Sequence, residues 1–177
     1  MHPVHKYARI ERERRFLLHQ FPLNARVERI RRITDRYIDS TTLRLRKMTE
    51  DNGATAFKLT QKIPARDIGG QQGLIVTIYL TEKEHTVLAQ LAAHELSKTR
   101  HSVPPLGIDV FEGELAGLVV AEAEFDSVAA ADAIILPPFI SHEVSSDDRF
   151  TGGHLARASR QEVERALLEY GINFATP

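Results

Sequence analysis

The sequence predicts a mainly β domain of the α+β class, an antiparallel barrel or sandwich with a few helices. Eight segments with period-two alternation or short apolar runs fill its first two thirds, and three helical segments interrupt or follow them. Short turns link most of the strands, as is typical of antiparallel sheets. The 177 residues fit one domain (1–177), with a core at about 8–155 and a C-terminal helix at about 160–170.

The predicted strands are separated by segments rich in turn-forming residues. Asp51-Asn52-Gly53, the run from Pro64 to Gly70, and Pro104-Pro105 are such segments. The strands are predicted at residues 9–18, 27–37, 42–48, 54–63, 74–80, 97–103, 107–111 and 117–125.

The helices are recognised by the residues that can cap their first turns. Thr81 with Glu84, and Ser159 with Glu162, have the spacing of a capping box, in which each side chain accepts from the other residue's backbone N–H. Ser127 can cap a short alanine-rich helix. The predicted helices are residues 81–93, 127–136 and 159–171, and the apolar spacing of the last one predicts packing on the outside of the sheet.

Composition narrows the possible functions. The chain has no cysteine, which excludes disulfides, thiolate chemistry and cysteine-ligated zinc and is typical of the cytosol. Its N-terminus has no apolar signal-peptide core and no stretch has the length of a membrane span, so we expect a cytoplasmic protein without a membrane partner. The net charge of −1 lacks the basic excess that nucleic-acid binding needs, so no nucleic-acid partner is expected.

Charged residues recur on one face of most predicted strands. Side chains alternate between the two faces of a strand, so residues two apart point the same way. A polar face can simply be the solvated side of a half-buried sheet, and each strand alone leaves that interpretation open. The residues that share a face are Arg9, Glu11, Glu13 and Arg15; Arg44 and Arg46; Lys58, Thr60 and Lys62; Lys98 and Arg100; and Glu122 and Glu124.

The order of these charges favours a more specific interpretation. Acidic pairs fall on the first and last predicted strands, and basic pairs fall on three strands between them. If the sheet closes with these faces inward, a carboxylate patch lies beside an Arg/Lys patch. Carboxylates suit a hard divalent ion, and Arg and Lys suit phosphate oxygens. That pair of sites is what phosphoryl chemistry requires.

Several segments give the chain a resemblance to the CYTH superfamily, the triphosphate tunnel metalloenzymes. Glu11-Arg12-Glu13-Arg14-Arg15 is similar to the ExExK signature of that family. The further family-like segments follow in the family's order from about residue 8 to residue 155. They are DRYID around Tyr37, LRLR around Arg44 and Arg46, FKLTQK ending at Lys62, SKTRHS with Lys98 and Arg100, IDVFEG with Asp109, AEAEFDS with Glu122 and Glu124, and HEVSSDDRF with Arg149.

The resemblance implies a closed eight-stranded antiparallel β-tunnel with a few surface helices, in which charged side chains line the interior. It implies that Glu11, Glu13, Glu122 and Glu124 hold Mg2+ or Mn2+ and that Tyr37, Arg15 and Asp109 take part in catalysis. For Asp109 and Arg149, a structural ion pair is the open alternative. The implied triphosphate contacts are Arg44, Arg46, Lys58, Lys62, Lys98, Arg100 and Arg149.

The sequence departs from the family pattern at two places that bear on catalysis. Arg15 replaces the final lysine of ExExK, and arginine stays protonated at any ordinary pH. If water is activated, the task therefore falls to Tyr37, Asp109 or a glutamate. Ile75 and Thr77 stand where the family often has a Glu-x-Glu pair, which should weaken a second metal site.

The resemblance implies metal-dependent hydrolysis of a triphosphate, with inorganic triphosphate as the default substrate and a nucleoside or thiamine triphosphate as the other candidates. The departures leave open a tunnel that binds polyphosphate or nucleotide without cleaving it, and adenylate cyclase activity is a further alternative. The sequence leaves the oligomeric state open, a homodimer included.

Overall fold

The structure is a computed structural model that describes residues 6–63 and 73–175. The predicted turn from Pro64 to Gly70 lies outside the described residues. Within them, strands form one antiparallel sheet of ten. The strands are β1 (Arg9–Ile10), β2 (Glu13–Leu17), β3 (Arg29–Ile38), β4 (Leu43–Glu50), β5 (Thr55–Ile63), β6 (Leu74–Leu80), β7 (Ala93–Val103), β8 (Leu106–Phe111), β9 (Val119–Glu124) and β10 (His142–Glu143).

Each of the eight predicted segments contains a strand, but the predicted closed eight-stranded tunnel is wrong. The described sheet has ten strands in the order β1-β6-β5-β4-β3-β7-β8-β9-β2-β10, and no pairing of its outer strands closes it. The predicted first strand is broken at Glu11 and Arg12, because residues 9–10 pair with β6 whereas residues 13–17 pair with β9. Short β10 adds an edge beyond β2.

The break places the two ends of the sheet at one short segment of chain. The backbone N–H of Glu11 donates to the carbonyl of Gly73 at 3.0 Å, on the β6 side. The backbone N–H of Phe125 donates to the carbonyl of Arg12 at 2.9 Å, on the β9 side. The sheet therefore curves around a concave face although its hydrogen-bond ladder is interrupted.

The α-helices of the described chain are α1 (Glu82–Leu88), α2 (Val128–Asp132), α3 (Gly152–Leu155) and α4 (Arg160–Leu168), and 3-10 turns lie at Gly113–Leu115 and Asp148–Phe150. Both capping boxes are confirmed, with the side chains of Thr81 and Ser159 each accepting a backbone hydrogen bond at the start of α1 and α4. The first helix is shorter than predicted because β7 already begins at Ala93, and α3 was not predicted. None of these helices combines the length and apolar character needed to cross a bilayer.

Two apolar clusters lie on opposite faces of the sheet. Phe16, Ile108 and Ala121 point to the convex face, where Phe21 and Phe139 pack against their cluster. The second cluster joins Leu17, Leu96, Phe111 and Val120 of the strands to Val163, Ala166 and Leu167 of α4.

The C-terminal helix packs on the concave face, so the prediction that it lies outside the sheet is wrong. Leu17, Leu96 and Val120 sit two residues from Arg15, Lys98 and Glu122, and residues two apart on a strand share a face. The same face is therefore apolar at one end, where α4 covers it, and charged further along. This division leaves a cavity beside the helix.

Candidate functional site

The concave face encloses a cavity of about 1180 Å³. Its wall contains all of the side chains that were grouped by shared face from the sequence, because their strands pair in register around it. The predicted site residues that line it are Glu11, Glu13, Arg15, Tyr37, Arg44, Arg46, Lys58, Lys62, Lys98, Arg100, Glu122 and Glu124. Asp109 and Arg149 do not line it.

The cavity is more basic than the chain as a whole. Among the described residues that line it, nine are Arg or Lys and six are Asp or Glu, an excess of three positive charges in a chain whose net charge is −1. Such an excess attracts anions and lowers the energy of a polyanionic ligand.

A buried carboxylate anchors the basic residues on β3 and β4. Asp35 is fully buried and accepts from Arg46 Nε at 2.6 Å and from Arg46 Nη2 at 2.7 Å. Arg44 Nε lies 3.7 Å from the same carboxylate. Burial alone favours the neutral acid, but the positive charge and hydrogen bonds of Arg46 lower the pKa of Asp35 to about 2. Sequence analysis did not single out Asp35, although Asp35, Tyr37, Arg44 and Arg46 share the inward face.

A second buried carboxylate has the same role on β7 and β8. Asp109 is fully buried and accepts from Arg100 Nε and Arg100 Nη2, both at 2.6 Å, and also from Lys98 Nζ. Arg100 Nη2 further donates to Glu122. Asp109 therefore sits behind the cavity wall as the partner of two cations, which is the ion-pair alternative left open by the sequence.

The four candidate metal ligands are distributed along the seam between β1, β2 and β9. Glu11 accepts from Lys62 Nζ at 2.7 Å, and Glu13 accepts from Arg15 at 3.0 Å. Glu122 pairs with Arg100, whereas Glu124 has no side-chain partner within the described residues. No group of three or more His, Asp or Glu side chains in the described parts of the chain is arranged to hold a metal ion.

Glu13 and Glu122 differ in protonation although they are close. Burial raises the pKa of Glu13 to about 7, and the negative charge of Glu122 adds to that rise. Burial also disfavours the charged form of Glu122, but Lys98 and Arg100 more than offset it and lower the pKa of Glu122 well below its usual range. Two neighbouring carboxyls of this kind could hold a divalent ion that also binds a phosphate ligand, because Mg2+ is usually bound through one or two carboxylates.

Tyr37 lies under the loop that leads into α3. A Cβ added at Gly152 would stand 2.1 Å from the Tyr37 hydroxyl oxygen, so glycine is required for this close approach. Burial and the charge of Asp35 raise the pKa of Tyr37 well above its usual value. The phenol is therefore protonated at neutral pH and can donate a hydrogen bond.

Arg149 lies away from the cavity. Its guanidinium donates to Asp147 at 2.8 Å and to Glu169 at 2.8 Å, at the C-terminal end of α4. Together these pairs fix the short turn of residues 148–150 against the last helix.

Ile75 and Thr77, which replace the family's acidic pair, form an uncharged part of the cavity wall. Thr77 forms a hydroxyl–hydroxyl hydrogen bond with Thr60 at 3.0 Å, and Ile75 lies opposite Lys62.

Lys58 Nζ rests 4.9 Å from the ring centroid of Tyr79. The C-terminal segment adds Arg157 to the wall, which alternation along strands could not predict because it comes from outside the sheet.

Two arginines of the wall each have one buried N–H group that makes no hydrogen bond in the described parts of the chain. The Nε atoms of Arg15 and Arg44 are buried and have no hydrogen-bond partner among the described residues. Arg44 Nε still lies 3.7 Å from the buried Asp35 carboxylate, and that charge attraction offsets part of the cost of burying it. Together, the curved antiparallel sheet and the cation-rich cavity define a β-fold whose concave face is suited to a compact polyanion.

Comparison with known proteins places the chain more narrowly. It is 35% identical over 156 residues to the inorganic triphosphatase of Nitrosomonas europaea, covering 82% of this chain and 96% of that protein. A solved inorganic triphosphatase structure superimposes with a TM-score of 0.54 at 25% identity, covering 84% of this chain and 95% of that one. A solved structure of a hypothetical protein gives 0.55 at 28% identity, covering 84% and 99%. No family model matches the chain. The chain belongs to the CYTH superfamily of triphosphate tunnel enzymes.

Proposed function

We propose that this chain hydrolyses a triphosphate in the concave cavity, with inorganic triphosphate as the first substrate to test. The observation that carries the proposal is the cation-rich wall of the cavity, which contains nine Arg or Lys and six Asp or Glu side chains among the described residues. The similarity to an inorganic triphosphatase supports the same substrate.

Binding would neutralise the charges of the substrate. Arg44, Arg46 and Lys62 on one wall and Lys98 and Arg100 on the other would contact nonbridging phosphate oxygens. Water would attack the terminal phosphorus in line, and the bond to the bridging oxygen would break to give orthophosphate and diphosphate. In phosphoryl transfer the protein forms few covalent bonds itself. Alignment of water with the terminal phosphorus and neutralisation of the phosphate charges would therefore supply most of the acceleration.

The proton of the attacking water needs an acceptor. Arg15 stays protonated, Tyr37 has a raised pKa, and Asp109 is fully buried between two cations. None of the three side chains suggested by the sequence suits this task. We therefore assign proton acceptance to a glutamate of the cavity.

We further propose that Glu122 and Glu13 would hold Mg2+ or Mn2+ together with phosphate oxygens of the substrate. When bound, such an ion supplies positive charge that stabilises the negative charge on the phosphate oxygens. Glu11 and Glu124 lie on the same seam and are assigned a supporting role. The few carboxylates suit an ion that arrives with its triphosphate ligand.

The test is phosphate release from inorganic triphosphate, ATP and thiamine triphosphate, each with Mg2+ and with Mn2+. Arg44→Gln removes a donor from the cavity, and loss of a charge-assisted hydrogen bond of about 1.5–3 kcal/mol should raise KM roughly tenfold to a hundredfold. Arg149→Gln is the matched control, since Arg149 lies outside the cavity, and it should leave KM unchanged. Release no faster than with the Glu11→Ala/Glu13→Ala double variant, for every substrate and metal, would overturn the proposal.

A non-catalytic polyphosphate-binding cavity is the second candidate. It is favoured by the absence of a proton acceptor among Arg15, Tyr37 and Asp109. Calorimetry that finds tight triphosphate binding without turnover would support it. Turnover that Glu122→Ala abolishes would exclude it.

A further inference from the structure

We propose that Asp35 is a positioning residue that fixes the guanidinium of Arg46 so that it faces the phosphate-binding cavity. The inference rests on the proposed function, since it assigns Asp35 a part in binding the triphosphate. Asp35 itself does not line the cavity and would act through Arg46.

One edge of the Arg46 guanidinium is hydrogen-bonded to Asp35, and the other nitrogen is available to a ligand. Nε and Nη2 both donate to the two oxygens of Asp35, at 2.6 and 2.7 Å. Nη1 has no hydrogen-bond partner within the described residues, and Arg46 lines the cavity. Arg46 therefore cannot offer the Nε–Nη2 edge to a phosphate and presents Nη1 instead.

The strand register makes this arrangement rigid. Asp35 on β3 is the direct cross-strand neighbour of Arg46 on β4, so the two side chains leave the sheet side by side. Asp35 is fully buried, and the Arg46 side chain is 11% exposed. A side chain whose rotamer is fixed before binding loses less freedom when the ligand arrives.

The same device occurs a second time in the wall. Asp109 on β8 is the direct cross-strand neighbour of Arg100 on β7 and takes its Nε and Nη2 in the same way. Because β3 pairs with β7, the two Asp–Arg pairs flank one ladder. Two buried carboxylates that each occupy the same edge of an arginine indicate a common positioning function.

Charge and position make opposite predictions for the loss of Asp35. A carboxylate near a polyanion repels it, so if only charge mattered, Asp35→Asn would tighten triphosphate binding. If Asp35 positions Arg46, asparagine cannot accept both hydrogen bonds from the guanidinium. Arg46 then gains alternative rotamers, and triphosphate binding weakens. The direction of the change therefore distinguishes the two roles.

The experiment is calorimetric titration of inorganic triphosphate into the full chain in metal-free buffer. We expect Asp35→Asn to weaken binding about tenfold, the loss of roughly one charge-assisted interaction. Glu95→Gln is the charge-matched control, because Glu95 of β7 pairs with Arg36 of β3 at 3.1 Å and neither residue lines the cavity. We expect that variant to bind equally well or more tightly.

A second comparison covers the case in which Asp35→Asn does not fold. Removing both charges of a buried pair is tolerated better than removing one, so Arg46→Gln is compared with Asp35→Asn/Arg46→Gln. If Asp35 acts through Arg46, the double variant binds triphosphate as tightly as Arg46→Gln alone.

The outcomes separate this inference from the proposed function. Unchanged or tighter binding by Asp35→Asn overturns the positioning role alone, as does a double variant that binds much more weakly than Arg46→Gln. A wild-type chain that binds no triphosphate overturns the proposed function and this inference together.

Discussion

The raised pKa of Glu13 makes the stability of the metal-free protein depend on pH in a defined window. The carboxyl has an ordinary pKa of 4.5, and burial followed by the charge of Glu122 raises it to about 7 in the folded chain. The folded state therefore binds this proton more tightly than the unfolded state does. Its stabilising effect is complete below pH 4.5 and is lost as the pH rises through 7.

The structure sets the size of this effect. The difference of about 2.5 pH units between 4.5 and about 7 corresponds to about 3 kcal/mol of unfolding free energy. The Glu13 side chain is 12% exposed, so solvent screens little of it. Glu122 has a lowered pKa, so its contribution is present above pH 4.5 and is lost at more acidic pH, in a different window.

The assay is urea unfolding at several pH values between 4.5 and 8 in the presence of a chelator, for the wild type and Glu13→Gln. Glutamine cannot ionise, so the variant should lack the decline and become more stable than the wild type by up to about 3 kcal/mol at pH 8. Parallel stability curves for the two proteins would refute the reasoning.

Three further outcomes follow from contacts in the structure. At pH 6, binding of Mn2+ with triphosphate should release close to one proton in the wild type and less in Glu13→Gln, measured by calorimetry in two buffers of different ionisation enthalpy. Gly152→Ala should lower stability by about 1–3 kcal/mol, because its Cβ meets the Tyr37 hydroxyl, and adding Tyr37→Phe should restore part of the loss in urea unfolding. Ser159→Ala should cost about 1 kcal/mol by removing the cap of α4, seen as a lower Tm, whereas Ser159→Asp should retain most of the stability.

Alternation predicted the strands well because it is a local property. A strand with one charged and one apolar face gives the same pattern wherever its partners lie, so β3 to β9 follow from the sequence. The break at Glu11 and Arg12 is not local. The alternation of side chains continues through the break. The break arises because β6 pairs with residues 9–10 whereas β9 pairs with residues 13–17.

The sequence identified side chains that line the cavity, but it did not identify the buried acid that holds one of them in place. Arg44 and Arg46 stand out as a basic pair, and their strand directs them inward. Asp35 is a single acid between Thr34 and Arg36, and its importance comes from a cross-strand neighbour that the sequence does not identify. The position of α4 was also not predicted. An apolar face shows that a helix packs against the sheet, but it does not show which face of the sheet the helix covers.

The segment at which the two ends of the sheet meet has a consequence for biosynthesis. Residues 13–17 are synthesised about a hundred residues before their partners, which are residues 120–124 and 142–143. Phe16 and Leu17, which are fully buried in the folded protein, therefore remain without their strand partners until those later segments have been made. At about 5–20 residues per second this leaves several seconds in which a nascent chain presents an unpaired strand to chaperones or to other chains. The sheet is thus completed last by one of the strands that is made first.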